Sequence, residues 1–371
     1  MKRVSGMRLE NRGTGTGTFE TGGKKDAGTK REKPPARPFA AGGKEWEKEG
    51  IPLVRKQLES GLFRQAIAEC NRLLLEEPDN VNVLRLRARA YGQCGKFGDA
   101  LDDQRAVAER RPNYWEWMDV AYTCNHVGLE AEAMEACAKA IRFRPDGAEA
   151  HALLGRIYIK QGEWGKAVEE SRKAIHVKPG DFQPYWTLGI AHMENGNGKE
   201  ALDSLTKAMR LMNTCRVAAG RKHAKLLCDI GKAHCLLRHY RAAERCYQRS
   251  IQTDPTYPTG YKRLGILYYE WGSYEKRDGN GEKFRLAVKC LSLALECGDK
   301  TPVAYAVRGN ARMALGDYEN ARQDYENSLK LDSRQLKVYT NLCACYMQLG
   351  KPEKVKEMYG QRYIGPKPRL H

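Results

Sequence analysis

Nowhere in the sequence is there an apolar run of the roughly 18 residues that a membrane-crossing helix requires, so no span is expected. The N-terminus also lacks the apolar core of a signal peptide, which points to a cytoplasmic or nuclear chain rather than a secreted one. Cysteine is plentiful, with twelve residues, but the paired C-x-x-C or Cys/His spacing of a zinc site is missing. Cys343 and Cys345 form a C-x-C, and Cys228 and Cys235 lie about two helical turns apart. The cysteines are therefore expected to be reduced, with a packing role, and neither a metal nor a cofactor is expected.

Catalytic signatures are missing as well. His126, His151, His176, His192, His223, His234 and His239 are scattered, and there is no H-E-x-x-H or G-x-S-x-G. Gly23-Lys24 lacks the upstream glycine and the following Ser/Thr of a phosphate loop. Acidic pairs such as Glu169-Glu170 read as a solvated helix face. Enzymatic activity is not expected. With 41% hydrophobic residues and a net charge of +18, the 371-residue chain is polar for one globular core, yet suited to a solenoid whose units bury only their mutual contacts.

What the chain does have is periodicity. From Ala148 to Asp181 it reads as two short amphipathic segments joined at Gly162, the first with Leu154, Gly155 and Tyr158, the second with Trp164, Ala167 and Ala174. Small residues at Gly155 and Ala167 let two antiparallel helices approach, and Pro179 ends the second. Steps of about 34 residues carry Pro179 back to Pro145, Pro112 and Pro78. The same steps carry Gly162 to Gly128, Gly95 and Gly61, and Ala167 to Ala133, Ala100 and Ala66. Cys70 and Cys137 take equivalent places in their repeats.

This Leu-Gly…Tyr…Ala…Pro pattern resembles the tetratricopeptide repeat, a helix–turn–helix unit. The resemblance implies an all-α, right-handed superhelical solenoid. Residues 1–45, with GTGTGT and KREKPPARP, read as a disordered basic arm. Five repeats fill 46–214, residues 215–223 form a helical connector, and three to four further repeats fill 224–359 around an exposed loop at about 273–283. Residues 360–371 are a tail.

In the family the first helix of each repeat lines the inner surface. The resemblance places Arg85, Arg89, Tyr122, Asn125, Arg156, Lys160, Trp186, Lys225, Lys232, Lys262, Arg263 and Tyr269 there. Recurrent cations among aromatic and amide groups suit an acidic, extended or helical segment of a partner protein. The expected function is that of a scaffold or adaptor assembling a multiprotein complex. Asn310 and Asn341 resemble two members of the clamp by which co-chaperone repeats hold a chaperone's C-terminal carboxylate, but Ala306 stands in place of its first lysine. A chaperone-docking adaptor is thus one alternative. A nucleic-acid-associated scaffold is another, allowed by the charge but without a recognised motif.

Overall fold

Pro78, Pro112, Pro145, Pro179 and Pro255 each follow the end of a helix by two residues, because proline and its predecessor resist the helical conformation. The structure, a computed structural model, describes residues 45–215, 220–275 and 281–363. The basic arm, the core of the connector, part of the exposed loop and most of the tail lie outside the described residues.

Eighteen helices and no strand occur among the described residues. They form consecutive antiparallel pairs: α1 (Glu45–Glu59) with α2 (Phe63–Glu76), α3 (Val81–Gln93) with α4 (Phe97–Arg110), and α5 (Tyr114–Val127) with α6 (Glu130–Phe143). There follow α7 (Ala148–Gln161) with α8 (Trp164–Val177), α9 (Phe182–Glu194) with α10 (Gly198–Thr214), and α11 (Arg221–Leu236) with α12 (Tyr240–Thr253). The last three pairs are α13 (Pro258–Glu275) with α14 (Glu282–Glu296), α15 (Pro302–Ala314) with α16 (Tyr318–Leu331), and α17 (Leu336–Gln348) with α18 (Pro352–Tyr363). The fold is a right-handed superhelical solenoid.

Local chemistry starts and stops these helices. Asn80 and Asn113 accept hydrogen bonds from backbone N–H groups of the first turns of α3 and α5, at 2.9 to 3.2 Å. Gly128 and Gly162 end α5 and α7 in the left-handed conformation, at φ +86° and +75°.

From α5 onward each first helix touches the first helix of the next pair, whereas successive second helices do not touch among the described residues. The first helices therefore form the inner wall. They come closest at α7 and α9, where a Cβ on Gly155 would lie 3.5 Å from Thr187 Cγ2 and 3.0 Å from Ser171 Oγ. In later pairs the second helix fills the same space with a ring: Tyr247 packs on Gly231 and Tyr325 on Gly309.

Ala167 is fully buried in this contact. Ala167→Leu should overpack it and cost about 1–3 kcal/mol, while Glu169→Leu, 65% exposed, should cost well under that. Thermal melting of the two variants checks this, and equal losses would mean that the repeat phase is misplaced.

His151, at the start of the same pair, is held at both nitrogens. Nδ1 lies 2.6 Å from Glu170 Oε2 and Nε2 lies 3.1 Å from the Pro145 carbonyl oxygen. Two acceptors favour the imidazolium, so the Glu170 hydrogen bond raises its pKa above the usual value despite burial. Burial raises the pKa of Glu170, but its hydrogen bonds from His151 and Lys173 outweigh that and lower it. The histidine's stabilising contribution is then complete below its unfolded pKa of about 6.5 and is lost as pH rises through the higher folded value. His151→Phe should show a smaller loss of melting midpoint than wild type across that rise. Parallel midpoint-versus-pH curves would refute the assignment.

Candidate peptide-binding groove

Arg89, Tyr122 and Arg156 occupy the same place on α3, α5 and α7, one per repeat, and α5 and α7 are neighbours on the inner wall. Burial raises the pKa of Tyr122, and the charge of Arg156 opposes the rise. Arg89 is exposed and has no ion-pair partner among the described residues.

Where the first helices come closest, the wall opens into a pocket of about 270 Å³. Arg156 and Ile159 of α7, Gln183, Trp186, Thr187 and Ile190 of α9, and Lys225 of α11 line it. Its volume falls below the roughly 300–1,000 Å³ of small-molecule sites, and suits one or two side chains. The Trp186 indole N–H donates to Asp229 Oδ2 at 2.7 Å, which fixes the ring. Lys225 Nζ stands 5.7 Å from the indole centroid, within cation–π range. Burial pushes the Asp229 carboxyl up, against Trp186, Lys225, Arg263 and Lys232, which favour its ionised form.

Arg156 Nε is buried without a hydrogen-bond partner. A buried donor left unsatisfied is costly, but the guanidinium it belongs to lines the pocket, where its outer N–H groups can take a carboxylate. Ile159, Ile190 and the indole face offer apolar surface beside it. The arrangement can hold an acidic group next to an apolar one.

The structure thus brings Arg156, Trp186 and Lys225 together. Other expected groove residues are engaged elsewhere. Arg85 pairs with Glu116, and Lys160 donates to Asn125 Oδ1 at 2.9 Å and lies 3.8 Å from Glu130. Lys232 pairs with Glu194 at 2.6 Å. Lys262 is 16% exposed and bonds Asp299 at 2.7 Å in the turn before α15, where it ties two repeats together. Arg263 is half-buried and its charge acts on Asp229 and Glu270; Tyr269 packs on Phe284 at 6.0 Å. Asn341 Nδ2 and Tyr325 Oη both donate to Asn310 Oδ1 at 2.8 Å. The two clamp-like asparagines are therefore bound to one another.

Sequence reasoning missed Asp229, which orients the indole, and the pocket residues Ile159, Gln183, Thr187 and Ile190. Their signal was the first-helix register: Gln183 and Ile190 recur at the places of Lys225 and Arg156. None of the cysteines is joined in a disulfide, and burial pushes the Cys70 and Cys137 thiols up to about 12. Among the described residues no group of three or more His, Cys, Asp or Glu is placed to hold a metal, and no helix is long and apolar enough to cross a membrane.

Residues 150–176 and 302–334, in the fourth and eighth pairs, each match the family described as tetratricopeptide repeat. The chain carries tetratricopeptide repeats. It is 32% identical over 93 residues to RNA polymerase II-associated protein 3 of Mus musculus, a segment that covers 25% of this chain and 13% of that protein. Among solved structures, the Cut9–Hcn1 hetero-tetramer of the APC/C shares the fold with a TM-score of 0.57 at 16% identity, covering 76% of this chain and 52% of that one. A tetratricopeptide repeat protein from Parabacteroides merdae superposes with a TM-score of 0.55 at 15% identity, covering 71% of this chain and 98% of that one.

Proposed function

We propose that the protein is a non-enzymatic scaffold whose inner wall holds an acidic segment of a partner protein and so assembles a multiprotein complex. The observation that carries this reading is the pocket-lining guanidinium of Arg156, without an ion-pair partner among the described residues, on the same pocket wall as the anchored indole of Trp186 and Lys225. An acidic side chain docks on Arg156 and Lys225, and an adjacent apolar side chain fills the space against Trp186 and Ile190. Resemblance to a protein named for its association with RNA polymerase II supports a role in holding other proteins.

Selection of random displayed peptides on the full chain tests the reading. Enriched peptides should carry Asp or Glu next to an apolar residue. Arg156→Glu with Lys225→Glu should abolish the enrichment while the helical signal and melting midpoint stay near wild type. Lys207→Glu with Arg210→Glu reverses two exposed charges on α10 that have no ion-pair partner among the described residues, and should change it little. Binding of the selected peptides should weaken as salt rises. Equal enrichment by both double variants would place recognition outside the pocket.

A further inference from the structure

Where the two helices of a pair turn back on each other, seven pairs carry a glycine at φ between +67° and +86°: Gly61, Gly95, Gly128, Gly162, Gly196, Gly316 and Gly350. In the sixth pair Arg238 holds that place at φ +57°. A residue with a Cβ is strained there, and strain of this kind persists when something else requires the side chain.

What the side chain reaches is a row of rings on the same edge of the solenoid. The Arg238 guanidinium lies 5.8 Å from the Tyr274 centroid. Tyr274, 64% exposed, stands 6.3 Å from Tyr240, which stacks on Trp271 at 5.9 Å. Lys283 closes the row 4.1 Å from the Trp271 centroid. The order is cation, three rings, cation. Arg241 and Arg245, one turn apart on α12, rim the adjoining recess of about 380 Å³. Glu244, between them in sequence, accepts the Tyr268 hydroxyl.

Arginines elsewhere on this surface, such as Arg85, Arg105 and Arg221, find carboxylates. Among the described residues Arg238, Arg241, Arg245 and Lys283 have no ion-pair partner. The patch therefore offers unpaired positive charge around an exposed aromatic face. Four unpaired cations spread around one exposed ring match a regular array of charges better than the single acidic–apolar pair that suits the groove, and a duplex keeps its base faces hidden in the stack. A single strand supplies both phosphates and free base faces.

We propose that this row binds single-stranded nucleic acid, with a base stacked on Tyr274 and successive phosphates on Arg238, Arg241, Arg245 and Lys283. The site lies on other elements than the groove and does not depend on it.

Fluorescence anisotropy of the full chain with labelled oligo(U) and oligo(dT), over a range of salt, tests the proposal. Tyr274→Ala should weaken binding by about fivefold to a hundredfold, the range that base–aromatic stacking supplies. Arg238→Gly should weaken binding and reduce the slope of log affinity against log salt by about 0.7, one phosphate contact on a single strand. Because glycine relieves the left-handed strain, the same variant should melt at or above the wild-type temperature. Arg89→Glu with Arg156→Glu should leave oligonucleotide binding unchanged. Preference for one strand over the other identifies the natural ligand and supports the proposal either way. Wild-type affinity in Tyr274→Ala, equal competition by polyglutamate, or tighter binding of duplex would overturn it.

Discussion

Asp324→Ala is expected to cost about 3–5 kcal/mol, because it leaves two arginines without their shared partner in a nearly dry site. Asp324 is buried to 1% exposure and accepts from Arg308 at 2.6 Å and from Arg312 at 2.8 Å. Arg308 also donates to Ser292 Oγ at 3.0 Å, so one guanidinium joins three helices, α14, α15 and α16. Neither arginine can swing fully into water without giving up packing made by its aliphatic stem. Asp324→Asn, which keeps an acceptor of the same size, should lose less. Because units of a solenoid can open separately, hydrogen exchange of α15 and α16 amides is the direct measure, with thermal melting beside it. A loss under about 1 kcal/mol would put this cluster with ordinary surface pairs.

Tyr247→Ala should have an effect of similar size, about 3–5 kcal/mol, for a different reason: it removes a fully buried ring and leaves a cavity. The ring lies against Gly231, where a Cβ would stand 2.5 Å from Tyr247 Cε1. The two positions are therefore coupled with opposite signs. Gly231→Ala alone should clash and cost about 1–3 kcal/mol, whereas in the Tyr247→Ala background it should cost little or recover part of the loss. Tyr247→Phe removes only the hydroxyl's 3.5 Å contact with Cys235 Sγ and should be mild. Exchange protection of α11 to α13 reads the cycle; additive losses would show that the glycine is not there to admit the ring.

These two sites mark the boundary of what the chain disclosed. The glycines and prolines made the helical pairs legible, since each acts through its own backbone geometry: Gly61, Gly95, Gly128 and Gly162 stand at the turns their spacing implied, and the structure shows each in the left-handed conformation. Gly231 stands at the place that Gly155 takes in the fourth repeat, but nothing in the sequence points to the ring that meets it. Arg308 stands where the fourth repeat has Leu154, and reads as a departure from the pattern until Asp324 is seen sixteen residues on. The second repeat does the same with Arg87 and Asp103, again sixteen apart and bonded at 2.6 Å. A charge at an apolar place with its counter-charge at fixed distance was the available signal. For the inner wall, the family resemblance named Arg156, Trp186 and Lys225 among twelve candidates, and the structure sets these three around one pocket. The resemblance gave no warning that Arg85, Lys160 and Lys232 meet acids, because pairing across repeats depends on rotamers and on the neighbouring helix. Lys262 was likewise indistinguishable from a groove cation until the turn holding Asp299 folded over it.

The inner wall is uneven, and this has a mechanical side. Load applied along such a chain passes through every junction in series, so its compliance is set by the softest ones. Between α7 and α9 the first helices are closely packed, while the backbones of α3 and α5 stand further apart and the Arg85–Glu116 ion pair reaches across. The wall is thus tied at one place by packing, which salt leaves in place, and at another by a half-exposed charge pair, which salt loosens.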